Sequence, residues 1–343
     1  MWWLRRAQDG TPDDGVSQGF HLYHGWLSSY PETTGYIIET FWDYGRSKDE
    51  QSWVDRAILM TDWLLSLQHE DGWIPDPSLT KPLVFDTGQV LFGLIRSYRE
   101  TGNPGYLAAS KRAGDWLVEV QTDDGSWERF AYNEIPHSYY SRVGWSLAEL
   151  YELTGDARYL DAASRNAEWT LGQQQPNGWY RRAAFGTDEH SKPFTHTIAY
   201  TIRGMFEMGR LIGDARLIDS AQDSITALLD RSPSGRLPAA TYGPAWEGDY
   251  SSSCLTGDAQ LAIILFRLAQ VRSSKALFDR GSDLNRLLSG LQVHGAGPDI
   301  EGAIAGSSPI WGSYIHYAYP NWATKFLAEA LMSERSVGEG LRA

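Results

Sequence analysis

The 343-residue sequence predicts an all-α fold, an (α/α)6 toroid in which an outer ring of helices wraps an inner one. Three observations predict it. First, one phrase recurs at a fixed step: Trp63-Leu64-Leu65-Ser66-Leu67-Gln68 before Asp71-Gly72-Trp73, then Trp116-Leu117-Val118-Glu119-Val120-Gln121 before Asp124-Gly125-Ser126-Trp127. A degraded copy ends at Asn177-Gly178-Trp179, so Gly72, Gly125 and Gly178 stand 53 residues apart. Second, each period holds one amphipathic and one nearly all-apolar helical pattern, the alternation that two concentric rings require. Third, the chain opens on a lone outer-type helix and finishes on a lone inner-type one, which complete a hairpin and close the ring.

Taken in order, Met1 to Gln8 reads as the first outer helix, because Gln8-Asp9-Gly10 repeats the end of the phrase. The inner helices are expected to begin near Thr34, Thr87, Tyr140, Thr197, Thr256 and Asn321. Val90-Leu91-Phe92-Gly93-Leu94-Ile95 typifies them, and Trp53 to Gln68 typifies the outer, amphipathic kind. Thr101-Gly102-Asn103, Thr154-Gly155-Asp156 and Ile212-Gly213-Asp214 mark short turns in which Gly ends one helix and Asn or Asp starts the next. Weaker echoes near Gly235 and Gly295 carry the period on. No Pro-, Ser- or Gly-rich linker intervenes, so residues 1–333 read as one domain and 334–343 as a frayed polar tail. The connections from outer to inner helices, roughly 9–33, 70–86, 122–137, 175–195, 231–253 and 293–319, are long. All of them therefore fall on one face, at the mouth of the ring.

The 15 Trp, 18 Tyr and 11 Phe make 13% of the chain aromatic, which sets disorder aside. A net charge of −13 disfavours nucleic acid or an anionic membrane as the main partner. The one cysteine, Cys254, rules out an internal disulfide and reads as a small buried apolar residue. His21 and His24 alone have ligand spacing, and no third ligand is near, so neither metal nor cofactor is expected. No apolar run long enough for a membrane span and no signal peptide is visible, so the expected location is cytoplasmic.

Aligning the inner helices on the 53-residue step lays Gln89 over Arg142. The same register puts Tyr36, Tyr200 and Asp258 in one column, with Glu32, Asp86 and His196 about one turn earlier. Polar residues at the starts of otherwise apolar helices should converge on the mouth, where helix N-termini favour anionic or hydroxyl-rich ligands. Glu32 follows Pro31 and precedes Gly35, whose small size is expected to bring backbone close to the cavity. Glu32 also suits a first-turn acid and Asp86 an N-cap. Pro136-His137-Ser138-Tyr139-Tyr140-Ser141-Arg142 is the densest cluster of acid/base and cationic groups, and an arginine leading an apolar helix needs a partner. His196 and Tyr200, four apart, share a helix face. The catalytic candidates are thus Glu32, Asp86, His137, Tyr140, Arg142, His196, Tyr200 and Asp258. Trp63, Trp73, Trp116, Trp127, Trp169 and Trp179 follow the repeat and read as packing. Gln89, Tyr30, Tyr36, Trp42, Trp145, Trp246, Trp311, Tyr319, Asn321 and Trp322 lie off it and are the substrate-binding candidates, the rings being suited to stacking on sugars.

The outer-helix phrase, with Arg112-Ala113, Trp116-Leu117, Gln121, Gly125 and Trp127 in order, resembles the Gln-Trp repeat of squalene-hopene cyclases and related prenyl toroids. That motif is a packing device, and the acidic motif of a protonating cyclase has no match here, so terpene cyclisation is the runner-up. The mouth segments, Tyr30 to Thr40, Phe85 to Tyr98, Pro136 to Trp145, His196 to Gly204, Ser253 to Gln260 and Trp311 to Trp322, look like the six-hairpin toroids that handle sugars. They resemble a bacterial family encoded among extracellular-polysaccharide biosynthesis genes. Unsaturated glucuronyl hydrolases share this toroid, and Asp86 matches their catalytic Asp on the second inner helix. At the third, where they carry another Asp, this chain has His137, Tyr140 and Arg142.

The expectation is an enzyme acting on a bacterial exopolysaccharide or oligosaccharide, acidic in character. Two of Glu32, Asp86 and Asp258 would serve as acid and base or nucleophile in a glycoside hydrolase. The alternatives are a uronate lyase or C5-epimerase using Arg142 with a Tyr or His, and a non-catalytic glycan-binding scaffold.

Overall fold

A helix that is apolar on every side can be stable only between other helices, and an amphipathic one only at their edge. The two patterns sort into two rings accordingly. In the computed structural model, which describes residues 1–186, 191–233 and 235–341, the inner helices are α2 (Pro31–Lys48), α4 (Val84–Thr101), α6 (Ser141–Thr154), α8 (Thr195–Ile212), α10 (Leu255–Arg272) and α12 (Asn321–Gly340). The outer ones are α1 (Trp2–Asp9), α3 (Gln51–Leu67), α5 (Pro104–Glu119), α7 (Ala157–Leu171), α9 (Ala215–Arg231) and α11 (Lys275–Ser289). Each inner helix packs on the next, α12 returns to α2, and α1 lies against α12. The ring closes as expected. A small sheet ties the seam, with strand Gly19–His21 between Gly25–Trp26 and Ala318–Pro320.

The repeated phrase works as a bolt between periods. Gln68 Nε2 donates to the Gly72 carbonyl (3.0 Å) and to the Ala109 carbonyl of the next outer helix (2.9 Å). Gln121 does the same with Gly125 (3.1 Å) and Ala162 (2.9 Å). In the degraded copy Gln174, 53 residues after Gln121, reaches the Ser220 carbonyl at 2.8 Å.

Two readings are corrected. The close approach at Gly35 is to the neighbouring inner helix and not to the cavity: a Cβ there would lie 2.5 Å from Val90 Cα. The expected frayed tail after Ser333 is instead the end of α12, which continues to Gly340 because Val337 packs into the main hydrophobic cluster. The third inner helix starts at Ser141, beside the expected Tyr140, after a separate turn over Ser138–Tyr140.

Candidate active site

All six inner helices begin at the long-loop face, and none has a side-chain cap. Their first N–H groups and the positive ends of their dipoles therefore point at the mouth. Asp86 is not the N-cap of α4, because Leu83 holds that position and Asp86 sits inside the first turn. Glu32 lies likewise inside the first turn of α2, behind Tyr30 and Pro31.

Glu32 is the centre of the cluster. Burial pushes its carboxyl up to about 7, against the pull of the Tyr30 hydroxyl and the Arg142 charge. Burial first, then the Glu32 charge, hold Asp86 well above the usual carboxylate range, and its Oδ2 has no partner. Two neighbouring buried carboxyls cannot both ionise cheaply, so they titrate as a pair with Asp86 the last to lose its proton.

Gln89 and Arg142 meet as the register predicted, Arg142 Nε donating to Gln89 Oε1 at 2.7 Å. The partner of this arginine is that amide and a cage of rings rather than a carboxylate. Its guanidinium carbon lies 4.6 Å from the Tyr200 ring centroid, 5.1 Å from Trp145, 5.5 Å from Phe92 and 5.9 Å from Tyr36. Nη1 is left unpartnered, as are Gln89 Nε2 and the Tyr200 hydroxyl. The His196 ring lies 4.2 Å from that of Tyr200, tilted by 53°, and the Gln260 amide lies 2.8 Å from its Nδ1. Burial and the Arg142 charge push His196 down to about 3, so it is neutral with its proton on Nε2 when Gln260 donates.

Other candidates are not brought into this group. Asp258 is fully buried, raised by burial alone, and acts on Cys254 rather than on the Glu32–Asp86 pair. Both His137 ring nitrogens face backbone carbonyls, Ala184 at 3.0 Å and Tyr132 at 2.8 Å, and the Tyr140 hydroxyl accepts from the Tyr132 N–H at 2.8 Å. These two side chains tie loops together, His137 through both ring nitrogens and Tyr140 through its hydroxyl oxygen. Asn321 braces the seam by donating to the Ser17 carbonyl and the Thr33 hydroxyl, both at 2.8 Å. Trp42 is buried midway along α2 with its indole N–H on Ser97, and Trp246 packs edge-on to the repeat residue Trp179. Trp311 is exposed on the last long loop, and Tyr319 belongs to the seam sheet opposite Phe20. Trp322 does border the cluster, beside Tyr30, with its indole N–H on the Tyr314 hydroxyl at 2.9 Å.

Tyr314, Gln260 and Phe85, whose ring lies 5.4 Å from that of Tyr200, were not singled out from the sequence. Tyr314 comes from an irregular loop with no periodicity to place it, while Gln260 follows Asp258 by two and was legible from the α10 register.

Raising a carboxyl pKa on folding means the folded state binds more protons, so stability falls as pH climbs from the unfolded to the folded value. For Glu32 that window runs from 4.5 to about 7. Glu32→Gln should therefore gain on the wild type by about 3 kcal/mol between pH 5 and pH 8. Urea midpoints at the two pH values measure it, and parallel profiles for the two proteins would contradict the placement.

Residues 21–231 match the family described as β-L-arabinofuranosidase, GH127 catalytic domain. The chain belongs to that family. It is a carbohydrate-active enzyme with the six-hairpin glycosidase-like fold. An unsaturated glucuronyl hydrolase specific for heparin superposes with a TM-score of 0.78 at 15% identity, covering 98% of this chain and 95% of that one. Cellobiose 2-epimerase from Bacillus thermoamylovorans gives 0.77 at 10% identity, over 97% and 96%. Squalene–hopene cyclase of Bradyrhizobium diazoefficiens is 22% identical over 58% of this chain and 31% of its own length, so the chain spans about a third of that curated relative. Among the described residues of this GH127-type domain, no helix is long and apolar enough to cross a membrane, and no group of three or more His, Cys, Asp and Glu is disposed to hold a metal ion.

Proposed function

We propose that the protein hydrolyses a glycosidic bond with Asp86 as general acid and Glu32 as its partner carboxylate. The observation that carries this reading is the pair itself: two adjacent buried carboxyls, one held protonated well above the usual range and one poised near neutrality. Such a split is what an acid and a base in one site require. Asp86 passes its proton to the leaving glycosidic oxygen. Glu32, ionised, takes a proton from the water that bonds to the anomeric carbon, or bonds to that carbon itself before water releases it; inversion or retention of the anomeric centre separates the two. Arg142, with a free Nη1 beside the pair, receives a sugar oxygen, and a carboxylate there is the strongest acceptor. That supports an acidic oligosaccharide or exopolysaccharide as substrate. Glu32 and His196 are only 8% and 6% exposed, so both groups are largely shielded from water.

The neutral His196 against Tyr200, whose hydroxyl is unpartnered, supports a second reading, proton transfer at a sugar carbon in an epimerase or lyase. Mass spectrometry of acidic and neutral oligosaccharides incubated with the protein in D2O tests both. Cleavage with gain of water is expected. An unsaturated product, or deuterium uptake without cleavage, would replace hydrolysis by the second reading.

A further inference from the structure

A cavity of about 900 Å³ opens at the other end of the toroid, between the C-terminal halves of the inner helices. It lies apart from the Glu32–Asp86 pair, and Trp145, Arg203, Lys325, Glu329, Glu207 and Glu39 form its charged floor. Arg203 holds one carboxylate through Nη2, that of Glu329, which Lys325 also binds. Its side chain is only 9% exposed, yet Nε and Nη1 have no partner. Buried donors left open in this way call for an acceptor from outside the chain. Compensation of the helix dipole does not explain them, because α8 runs on to Ile212 and that effect is confined to the last turn. Facing Arg203 across the floor is Glu39, which makes no hydrogen bond to the described residues and whose carboxyl burial pushes up to about 7, so that it can donate or accept. Lysine and arginine side chains around the wall number six, as do aspartate and glutamate, so the formal side-chain charges of the two signs are matched and interspersed. Tyr44 and the 58%-exposed Trp2 stand at the rim.

We propose that this basin is a second saccharide site, binding a neutral oligosaccharide through hydroxyls that accept from Arg203 and exchange hydrogen bonds with Glu39, with Tyr44 and Trp2 against the ring faces. Hydroxyl groups are the ligand chemistry that both donates and accepts at every position, which a neutral wall of free donors and acceptors matches. Stacking on an aromatic rim adds the apolar face of a sugar ring. The volume is that of an ordinary small-ligand site.

The site is tested by calorimetric titration of neutral gluco-, galacto-, manno- and arabino-oligosaccharides, with gluconate and lysine as charged probes. The titrated protein carries Asp86→Asn and Glu32→Gln, so that turnover does not interfere. At least one neutral sugar should bind, and adding Glu39→Gln or Tyr44→Ala should weaken it about tenfold. In the otherwise wild-type chain those two substitutions should leave the helical circular-dichroism signal and any turnover unchanged. No neutral sugar binding, binding indifferent to both substitutions, or tighter binding of gluconate or lysine would each overturn the proposal. These readouts are of binding alone, so failure of the hydrolytic reading, seen as absent turnover, is scored separately.

Discussion

Replacing Asp86 by asparagine is expected to cut turnover by about 10³-fold while leaving the protein as stable as before, or more so. The reason is the state of the group. Asp86 is 2% exposed and held well above the usual carboxylate range, so it is a neutral acid at neutral pH. Asparagine is close to that form in shape and charge and lacks only the transferable proton. The same change at an ordinary ionised surface aspartate would alter charge and leave the chemistry alone. Combining Asp86→Asn with Glu32→Gln should add little further loss, because residues that act as one unit do not contribute independently. Steady-state rates beside thermal midpoints decide the matter. Retained turnover would remove Asp86 from the reaction, and a collapse of the midpoint would make it a packing residue instead.

The largest effect on folding is expected at Gly72. A Cβ there would stand 2.1 Å from the Arg112 carbonyl oxygen, and φ is +103°, where an L side chain is already strained. Backbone strain and overpacking together put the cost of Gly72→Ala at about 4 kcal/mol. Gly125→Ala, at 2.4 Å from the Arg165 carbonyl and φ +90°, should follow closely. Gly178→Ala meets its nearest atom only at 3.1 Å and should cost less. Gly102→Ala, left-handed but in open space, should cost about 1 kcal/mol and serves as the control. Denaturant midpoints out of that order would show that the repeated glycines are not where adjacent periods interlock.

The period itself was legible because the bolt is local. The Gln, the Gly and the following Trp of each copy lie within one helix end and one turn, so the chain has to write them together. Register then carried Gln89 to Arg142 and brought Glu32, Asp86, His196 and Tyr200 to one end of the ring. It failed where neighbours come from irregular loops. His137 and Tyr140 lie in a phrase rich in reactive groups, yet backbone groups of nearby loops engage both His137 ring nitrogens and the Tyr140 hydroxyl oxygen. Trp42 and Trp246 stood outside the repeat phrase but pack as firmly as the tryptophans within it.

The sequence by itself therefore determined the twelve-helix alternation, the closing of its two ends, and the side of the ring on which long loops gather. Helical periodicity and turn chemistry act over a few residues and repeat, which leaves a readable trace. Only the tertiary structure decided which polar side chains are free. It decided that Arg142 is caged by rings and Asp258 set apart, and that Glu39, Trp145, Arg203, Lys325 and Glu329 share a floor. Those partners come from four inner helices far apart in the chain, and what a buried charge does depends on the groups that fold against it.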